Sequence, residues 1–383
     1  MDTETGYTQD IRDLIYLLIC AINETAPDHK RVGKMNLDAV YRLAAFHSVA
    51  SMVAFALESV NRLPDAFDQA KKKAIRKRAL FDIERGKFFS CFDEEGIWYV
   101  PLKGIVLGPY YPKYGMREMA DNDILCDGKR MQDVKRIMED QGFMCEHFGD
   151  GNHDVYIKSF TTFEMHRSLF SKEDFSAFDE YYQDIEEKLL SVSEKTFERR
   201  FRREDLYIYL LAHEYKHYTK GGTGLRSLLD TYVLLHRDSE HFDWTYINLE
   251  LEKLSLTDFE RMNREIAKKA FSGADLREDD TKRLMYYVNS GAQGTDEHVW
   301  KNRLSSNYRL KNDNTKAKRK YLHDRVFISG TKLKSNYPFI NRHKVLLPAL
   351  YVYRLSKAVI TKPKKVWKEL KTVHQFDSEE KDN

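Results

Sequence analysis

The spacing of apolar residues divides the chain into a helical segment, a segment of short alternating runs and further helical segments. Thr8–Ile22, Asn36–Val60 and Ala66–Cys91 carry apolar positions three or four residues apart, which predicts amphipathic helices. Thr8 and Asn36 stand just before their apolar runs and are candidate N-caps. We therefore predict a helical region over residues 1–92, with the charges of the basic stretch inside the third helix on its outer face.

Short apolar and β-branched runs dominate residues 93–170 and predict a small mixed sheet. A helix within Gly128–Gln141 interrupts these runs, and Gly142 ends it. The predicted strands are Ile97–Val100, Asp123–Cys126, Phe143–Phe148, Val155–Lys158 and Thr161–His166. The resulting fold class is α+β, with helical regions on both sides of the sheet in sequence.

Helical spacing returns in residues 171–300, over Glu180–Leu190 and Glu204–His217, with a charged break predicted at Glu278–Lys282. Residues 301–383 form a basic, partly helical C-terminal region. Within it, Asn302–Lys320 reads as a polar linker, and the acidic end beyond about Lys371 is expected to be disordered.

Composition narrows the class of protein. Of 383 residues, 42% are hydrophobic and 32% are charged, which is typical of a globular chain with room for several domains. The four cysteines are scattered, so neither a zinc knuckle nor a disulfide framework is indicated. No apolar run approaches the roughly 20 residues of a membrane span, and the acidic first ten residues do not resemble a signal peptide. We expect a cytoplasmic protein with no membrane partner.

Charge is unevenly distributed, although the net charge is only +3. Residues 301–383 carry 21 Lys and Arg against 7 Asp and Glu. Such a region either binds a polyanion such as RNA or forms a solvated basic face. The second interpretation is favoured, because the lysines lie among aliphatic helical segments.

Asp121-Asn122-Asp123 carries the chemistry to which the rest of the chain can be related. On a strand, alternate side chains point the same way, so the two aspartates share a face. Two adjacent carboxylates repel each other unless a cation lies between them. Mg²⁺ suits such a pair, since it binds carboxylate oxygens and keeps positions open for phosphate. Spacing alone is also compatible with two solvated aspartates at the start of a strand.

The order of elements resembles the polymerase-β-like nucleotidyltransferase superfamily. Its uncharacterised bacterial nucleotidyltransferase family is the most similar branch. The residues that carry the resemblance are Leu102-Lys103-Gly104, Tyr111-Pro112, Arg117 and Asp121-Asn122-Asp123-Ile124-Leu125. Lys103-Gly104-Ile105 replaces the superfamily's usual Gly-Ser turn, as is typical of this branch. Asn122 stands where the family usually has an apolar residue.

The resemblance implies a nucleotidyltransferase fold and a role for each matching residue. Asp121, Asp123 and Glu164, the last within Thr161–His166, would be the catalytic carboxylates that hold two Mg²⁺ ions, or Mn²⁺. The resemblance also implies that Lys103, Gly104 and Arg117 bind the nucleotide. In that role the glycine would offer its backbone to phosphate and the two cations would neutralise it.

Three further residues are candidates for the cleft: His166, His213 and Asp230. His166 follows Glu164 by two residues. It would either bind the substrate or a phosphate, or form a hydrogen bond to a residue that holds the metal. His213 and Asp230 match the family's histidine helix and its L-R-x-L-x-D segment. They would either line the cleft or join two helices.

His213-Glu214-Tyr215-Lys216-His217 is also a literal H-E-x-x-H, the zinc-peptidase signature. The usual third ligand does not follow it, so a zinc metallopeptidase is a lesser alternative. The main hypothesis is a Mg²⁺-dependent enzyme that transfers a nucleoside monophosphate from a nucleoside triphosphate to an acceptor such as RNA, a protein or a small molecule. A non-catalytic nucleotide- or partner-binding module of the same fold is the second hypothesis.

Overall fold

The computed structural model describes residues 8–149, 151–173, 175–274, 276–327, 337 and 344–377. Its α-helices are, in order, α1 Gln9–Ile22, α2 His29–Val32, α3 Leu37–Phe46, α4 Ala50–Glu58, α5 Asp65–Glu94, α6 Gly104–Leu107, α7 Met131–Asp140, α8 Ser176–Tyr181, α9 Ile185–Lys188, α10 Arg203–Lys220, α11 Leu225–Asp238, α12 Trp244–Lys253, α13 Thr257–Phe271, α14 Glu278–Ser290, α15 Asp296–Lys311, α16 Asn314–Val326, α17 Leu347–Thr361 and α18 Pro363–Gln375. Among the residues described, no helix is both long and apolar enough to cross a lipid bilayer.

A five-stranded mixed sheet lies among these helices. Its strands are β1 Tyr99–Pro101, β2 Asn122–Cys126, β3 Met144–His147, β4 His153–Lys158 and β5 Thr161–His166, and their spatial order is β1-β2-β5-β4-β3. β2 and β5 are parallel, whereas the β1–β2, β4–β5 and β3–β4 pairs are antiparallel. A separate two-stranded ribbon pairs β6 Leu190–Ser191 with β7 Arg199–Arg200. The predicted α+β class with a small mixed sheet is confirmed.

One face of the sheet packs on α5 and α7 and forms an aromatic core. Phe81, Phe88 and Phe92 of α5 are completely buried against Phe163 and its neighbours in the sheet. The ring of Phe88 meets that of Phe163 edge-on at a centroid distance of 5.0 Å. Burying a phenylalanine side chain contributes about 1.5–3 kcal/mol. The strand alternation that points Phe163 into this core turns its neighbour Glu164 to the opposite face.

The described chain forms two compact units. The first consists of residues 8–216 with 223–292 and contains the sheet, and the second consists of 217–222 with 293–377. In the second unit, helices α15, α16 and α18 contribute Trp300, Leu304, Tyr321 and Val373 to a small core. The finer boundaries predicted at residues 92, 170 and 300 stay predictions.

The single helix predicted over Asn36–Val60 is wrong, because the chain breaks between α3 and α4. Ser48 adopts a left-handed conformation with φ of 53°. The Val49 amide donates to the Ala44 carbonyl at 2.9 Å, and the Ser48 amide donates to the Ala45 carbonyl at 3.1 Å. This pair of bonds closes a helix C-terminus, and the sequence hides it because serine occupies the position where glycine is usual.

Two other polar stretches are helical where a break and a linker were predicted. Glu278–Lys282 begins α14, because its carboxylates stabilise the positive end of the helix dipole and Asp280 accepts from the Arg277 amide. Asn302–Lys320 is spanned by α15 and α16, capped by Thr295 and Asp313. These helices need few apolar residues, since their core is small.

Only part of the C-terminal end can be compared with the predictions made from the sequence. Helix α18 continues to Gln375, so the disorder expected beyond about Lys371 does not begin there. The remainder of that end, residues 378–383, lies outside the described residues.

The charges of the basic stretch in α5 are not all on an outer face. Lys72, Lys73 and Arg76 are exposed, as predicted, whereas Lys77 and Arg78 turn inward. The Lys77 ammonium donates to the Ala120 carbonyl at 2.6 Å. Arg78 donates to the Gly108 carbonyl at 3.4 Å. The inner side of this helix therefore brings cations to the connection between β1 and β2.

Candidate functional site

Parallel pairing of β2 with β5 places the predicted carboxylates side by side. Asp123 is the register partner of Glu164, and Asn122 is the register partner of Phe163. Side-chain alternation then puts Asp121, Asp123 and Glu164 on the face opposite the aromatic core. Three carboxylates that are separated by at most 43 residues in sequence thus lie on one face of two neighbouring strands.

Asp123 is the buried centre of this group. Its Oδ1 accepts from the Lys103 ammonium at 2.5 Å and lies 3.0 Å from Nε2 of His166. Burial alone would raise the pKa of the Asp123 carboxyl, but Lys103 and His166 outweigh burial and hold it well below its usual range. Asp123 is therefore ionised, and both of its recorded partners bind the same oxygen.

Asp121 is in the opposite situation. In the described part of the chain no donor forms a hydrogen bond or ion pair with its carboxylate. Burial, together with the negative charge of Asp123, raises the pKa of Asp121. A half-buried carboxylate without a partner beside an ionised one is a favourable place for a cation.

The turn that leads from β1 into α6 presents Lys103 to this pair. Lys103 has φ of 45° and ψ of −111°, a conformation that L-residues rarely adopt. Such a backbone costs on the order of 1–3 kcal/mol and persists where the surrounding structure enforces it. The Leu102 amide donates to the Asp123 carbonyl at 3.0 Å, which ties the turn to β2. The strained lysine is thereby fixed next to the carboxylates.

Gly104 follows Lys103 and has no room for a side chain. A Cβ built there would overlap Nη1 of Arg117 and lie 3.2 Å from the methyl group of Met119. The absence of a side chain therefore lets the guanidinium of Arg117 approach the turn closely.

Arg117 and Asp230 form a buried bidentate ion pair. Nε to Oδ1 and Nη2 to Oδ2 are both 2.7 Å, and the Tyr111 hydroxyl also donates to Asp230 at 2.7 Å. Burial disfavours the charge on Arg117, but Asp230 more than compensates and raises its pKa. Asp230 thus joins α11 to the β1–β2 connection.

Beyond Glu164, two histidines extend the carboxylate group. Nε2 of His153 and Nε2 of His166 each lie 3.6 Å from Oε2 of Glu164. His153 is the register partner of His166 across the antiparallel β4–β5 pair. Burial would raise the pKa of Glu164, but His166 outweighs it and lowers the pKa. Sequence reasoning missed His153 because the predicted strand begins at Val155, whereas β4 begins at His153.

Asn122, the residue that departs from the family pattern, points into the core face and has partners there. Arg85 of α5 donates to its Oδ1, and its own amide donates to the Asp121 carbonyl at 2.9 Å. Arg85 is in turn paired with Asp82 of the same helix. The polar residue on the core face is therefore satisfied and connects α5 with the start of β2.

Two more cations lie near Asp121 that sequence reasoning did not assign to the site. Lys77 of α5 and Arg226 of α11 both interact electrostatically with Asp121. Arg226 has one long hydrogen bond, 3.4 Å, to the Glu118 carbonyl. Burial lowers the pKa of Lys77. Together with Lys103 they place three cations around the unpaired carboxylate.

Helix α10 covers the carboxylate face. Tyr209 is buried beside Asp123 and Glu164, and burial together with these carboxylates raises its pKa well above the usual value. The His213 ring lies 6.2 Å from that of Tyr209, one turn further along the helix. His213 therefore lies on the side of α10 that faces the sheet.

The H-E-x-x-H motif does not assemble as a zinc site. Glu214 points away from His213 into the helical core, where Thr231 donates to it at 3.2 Å. Within the described ranges, one group of three or more metal-ligating side chains is found, and its members are His153, Glu164 and His166. The geometry gives no support to the peptidase alternative.

A cleft of about 690 Å³ opens at the ends of β2 and β5 beyond the carboxylates. Its walls include Trp98, Leu125, Arg167 and Tyr182. Leu125 lies two residues after Asp123 and so shares its face. The cleft is of the size that small-molecule sites have.

Comparison with known proteins identifies a family for the chain. A family model described as "Uncharacterised nucleotidyltransferase" matches residues 33–272, well over half of the chain. The chain belongs to this nucleotidyltransferase family. The matched range contains every candidate site residue of this nucleotidyltransferase and leaves out α1, α2 and α14 to α18.

Two other comparisons add little. No curated protein matches the nucleotidyltransferase significantly. A solved structure that matches is the solution structure of the antibiotic-resistance factor ANT(2'')-Ia, whose title reports substrate-regulated conformation dynamics. It is 13% identical over 50% of this chain and 90% of that chain, with a TM-score of 0.25. A similarity at that TM-score supports no argument about the present chain.

The donor set of the nucleotidyltransferase has the chemistry of a divalent-cation site, although in the described residues the three carboxylates do not bring their ligand atoms within 4.8 Å of one another. Asp121 has no partner, Oδ2 of Asp123 has none within the described chain, and Glu164 is aligned with Asp123 on the next strand. Carboxylate oxygens are the ligands that Mg²⁺ prefers. The three carboxylates could therefore hold Mg²⁺ once Lys103 withdraws from Asp123.

Proposed function

We propose that this nucleotidyltransferase moves a nucleoside monophosphate from a nucleoside triphosphate to a hydroxyl or phosphate acceptor and releases pyrophosphate. Asp121, Asp123 and Glu164 would hold two Mg²⁺ ions, or Mn²⁺. The observation that carries the proposal is the alignment of Asp123 with Glu164 on parallel strands, with the unpaired Asp121 on the same face. Bound Mg²⁺ would supply charge neutralisation for the triphosphate and activation of the acceptor oxygen.

Lys103 has two positions in this proposal. Without nucleotide it neutralises Asp123 at 2.5 Å. If cations were held by the carboxylates, its ammonium would leave Asp123 and bind the triphosphate, which carries the opposite charge. The rigid turn at Lys103 and Gly104 keeps both positions within reach of one side chain.

Phosphate charge would be neutralised mainly by Lys77, Lys103 and Arg226. These cations interact with Asp121 and have few competing ion pairs. Arg117 was predicted to bind phosphate directly, and its Nη1 does adjoin Gly104. Since Asp230 engages Nε and Nη2, we assign Arg117 mainly to fixing the wall of the site, with Nη1 as the nitrogen left to reach the nucleotide.

The acceptor would approach from the cleft beyond Leu125, because that cleft shares the face of the carboxylates. Its volume accommodates a small molecule, a sugar phosphate or the end of a larger chain such as RNA or protein. His213, on the sheet-facing side of α10, and His166 would line the route between the cleft and the carboxylates.

The test is thermal unfolding with each nucleoside triphosphate, with and without Mg²⁺. A ligand at about 100 times its dissociation constant stabilises the folded state by roughly 2.7 kcal/mol, which is readily measured. We expect a Mg²⁺-dependent shift in the wild type and none in the Asp121→Ala/Asp123→Ala variant. Glu146→Ala is the matched control, because Glu146 is an exposed carboxylate on β3. A fully active Asp123→Ala would overturn the assignment of the site.

A non-catalytic nucleotide-binding module is the second candidate. It would bind Mg²⁺-nucleotide normally and give no pyrophosphate with any acceptor. The departure from the usual apolar residue at Asn122 would favour such a module, yet Arg85 satisfies that side chain in the core. The pyrophosphate assay with a panel of acceptors decides between the two functions.

A further inference from the structure

The two imidazoles beside Glu164 have a geometry that an all-oxygen Mg²⁺ site does not require. Each places Nε2 at 3.6 Å from the same carboxylate oxygen, and the three ligand atoms lie within 4.8 Å of one another. A distance of 3.6 Å is too long for a hydrogen bond. Two ligands with bonds of about 2.1 Å at a tetrahedral angle are separated by about 3.4 Å. The two nitrogen–oxygen distances are therefore close to those between ligands of a shared cation.

The side chain of Asn152 decides which nitrogen of His153 is protonated. Its Nδ2 donates to the Ser168 carbonyl at 3.0 Å, so its Oδ1 is the atom that faces Nδ1 of His153 at 3.3 Å. A carbonyl oxygen only accepts, and we therefore assign the proton of the neutral ring to Nδ1. Nε2 is left with a lone pair directed at the Glu164 carboxylate. The lone pair of His153 and the carboxylate of Glu164 repel each other unless a cation lies between them.

The hydrogen bonds of His166 favour the opposite tautomer, with the proton on Nε2. The Asn152 amide lies 3.4 Å from its Nδ1, and its Nε2 donates to Asp123. It would become a ligand through Nε2, with the proton on that nitrogen leaving as the metal arrives. The His166 side chain is 5% exposed whereas that of His153 is 35% exposed, so a metal would enter from the side of His153.

We propose that His153, Glu164 and His166 bind a divalent transition metal such as Zn²⁺, Co²⁺ or Mn²⁺ beside the Asp121–Asp123 pair. Imidazole donors suit these ions, whereas Mg²⁺ takes oxygen ligands and keeps its waters. Asn152 is the positioning residue that holds the ring of His153, as outer partners of metal-binding histidines do. The proposal rests on the proposed function in one respect, because Glu164 is shared with the carboxylate group that would bind Mg²⁺-nucleotide.

The test measures metal binding without nucleotide. The full chain is stripped with a chelator, loaded with Co²⁺ in the presence of excess Mg²⁺, and its bound metal and visible absorption are recorded. We expect one tightly bound Co²⁺ with a spectrum that reports nitrogen ligands. His153→Ala should lose this site, and Asn152→Ala should weaken it about 10–100-fold. His147→Ala, which removes an exposed histidine of neighbouring β3, should leave it unchanged.

Each outcome bears on the proposal. Displacement of Co²⁺ by Mg²⁺, or equal binding by the His153→Ala and His147→Ala variants, would overturn it. Thermal unfolding of each variant in the absence of metal shows whether it is folded, and the half-exposed His153 makes its alanine variant a mild change. The Mg²⁺-nucleotide shift of Asp121→Ala/Asp123→Ala is a separate measurement, so failure of the metal site and failure of the proposed function are distinguishable.

Discussion

Arg117 and Asp230 face each other through two parallel hydrogen bonds of 2.7 Å, although 113 residues separate them in sequence. Arg117 belongs to the connection between β1 and β2, and Asp230 belongs to α11. Their side chains are only 8% and 17% exposed. The pair thus fixes a helix against the turn that presents Lys103 to the carboxylates.

Asp230→Ala should destabilise the protein by about 3–5 kcal/mol, because it leaves a buried guanidinium without its partner. Urea unfolding at neutral pH measures this loss. Asp258→Ala is the control, since Asp258 pairs with Arg261 at an exposed surface, where such pairs contribute about 0–1 kcal/mol. Equal effects of the two substitutions would show that the Arg117–Asp230 pair has no special structural role.

Gly104→Ala tests the close approach of Arg117 to the turn. A methyl group there overlaps Nη1 of Arg117, so either the guanidinium or the turn must move. We expect loss of most of the Mg²⁺-nucleotide stabilisation with a smaller loss of stability. Gly86→Ala in α5 is the control, because no atom lies within 4 Å of its added methyl group. An unchanged nucleotide shift in Gly104→Ala would remove this glycine from the proposed site.

Asn122→Leu should destabilise the first unit by about 1–3 kcal/mol, since the apolar side chain removes an acceptor from the half-buried Arg85. The substitution restores the residue type that is usual in the family, so a simple hydrophobic argument gives the opposite sign. Chemical unfolding distinguishes the two. Pairing it with Arg85→Met should recover much of the loss if the two side chains act together.

Glu214 makes stability depend on pH. Its Oε1 is buried without a partner, and burial raises its pKa to about 7, although the hydrogen bond that Thr231 donates to its Oε2 lowers it. In the unfolded chain the group ionises near its ordinary value. Between these two pKa values the unfolded state releases a proton that the folded state keeps, so stability falls as the pH rises.

Glu214→Gln removes this titration. An amide can also donate to Oδ1 of Asn263, which is likewise buried without a partner. The variant should gain about 2–3 kcal/mol relative to the wild type between pH 5 and pH 8. Urea unfolding at both pH values measures the gain. The same difference between variant and wild type at pH 5 and pH 8 would contradict the assignment.

The carboxylate group could be predicted from sequence because it depends on strand periodicity. The alternation around Asp123 and Glu164 fixes which side chains share a face, and the aromatic core follows from the same alternation through Phe163. A family match over residues 33–272 confirms the resemblance that suggested this arrangement. The sequence pattern predicts the fold correctly in strands that have one apolar face and one face with the candidate site residues.

The rest of the site depends on contacts that no local pattern contains. Asp230 and Arg226 reach the site from α11, and Lys77 reaches it from a stretch that looks like an exposed basic face. His153 joins the group through the register of β4 with β5. The break at Ser48 was missed for another reason, because a serine there adopts the backbone that usually marks glycine.

The ammonium of Lys103 on Asp123 also determines what a chelator can do to this protein. The deepest carboxylate already has a counter-ion supplied by the chain, so removing divalent metal does not leave it as a bare buried charge. Loading with metal would then be an ion exchange, and its apparent affinity would include the cost of displacing the lysine. Chelation should therefore abolish the activity of the protein while leaving it folded. A dialysed sample should stay folded and bind divalent metal again.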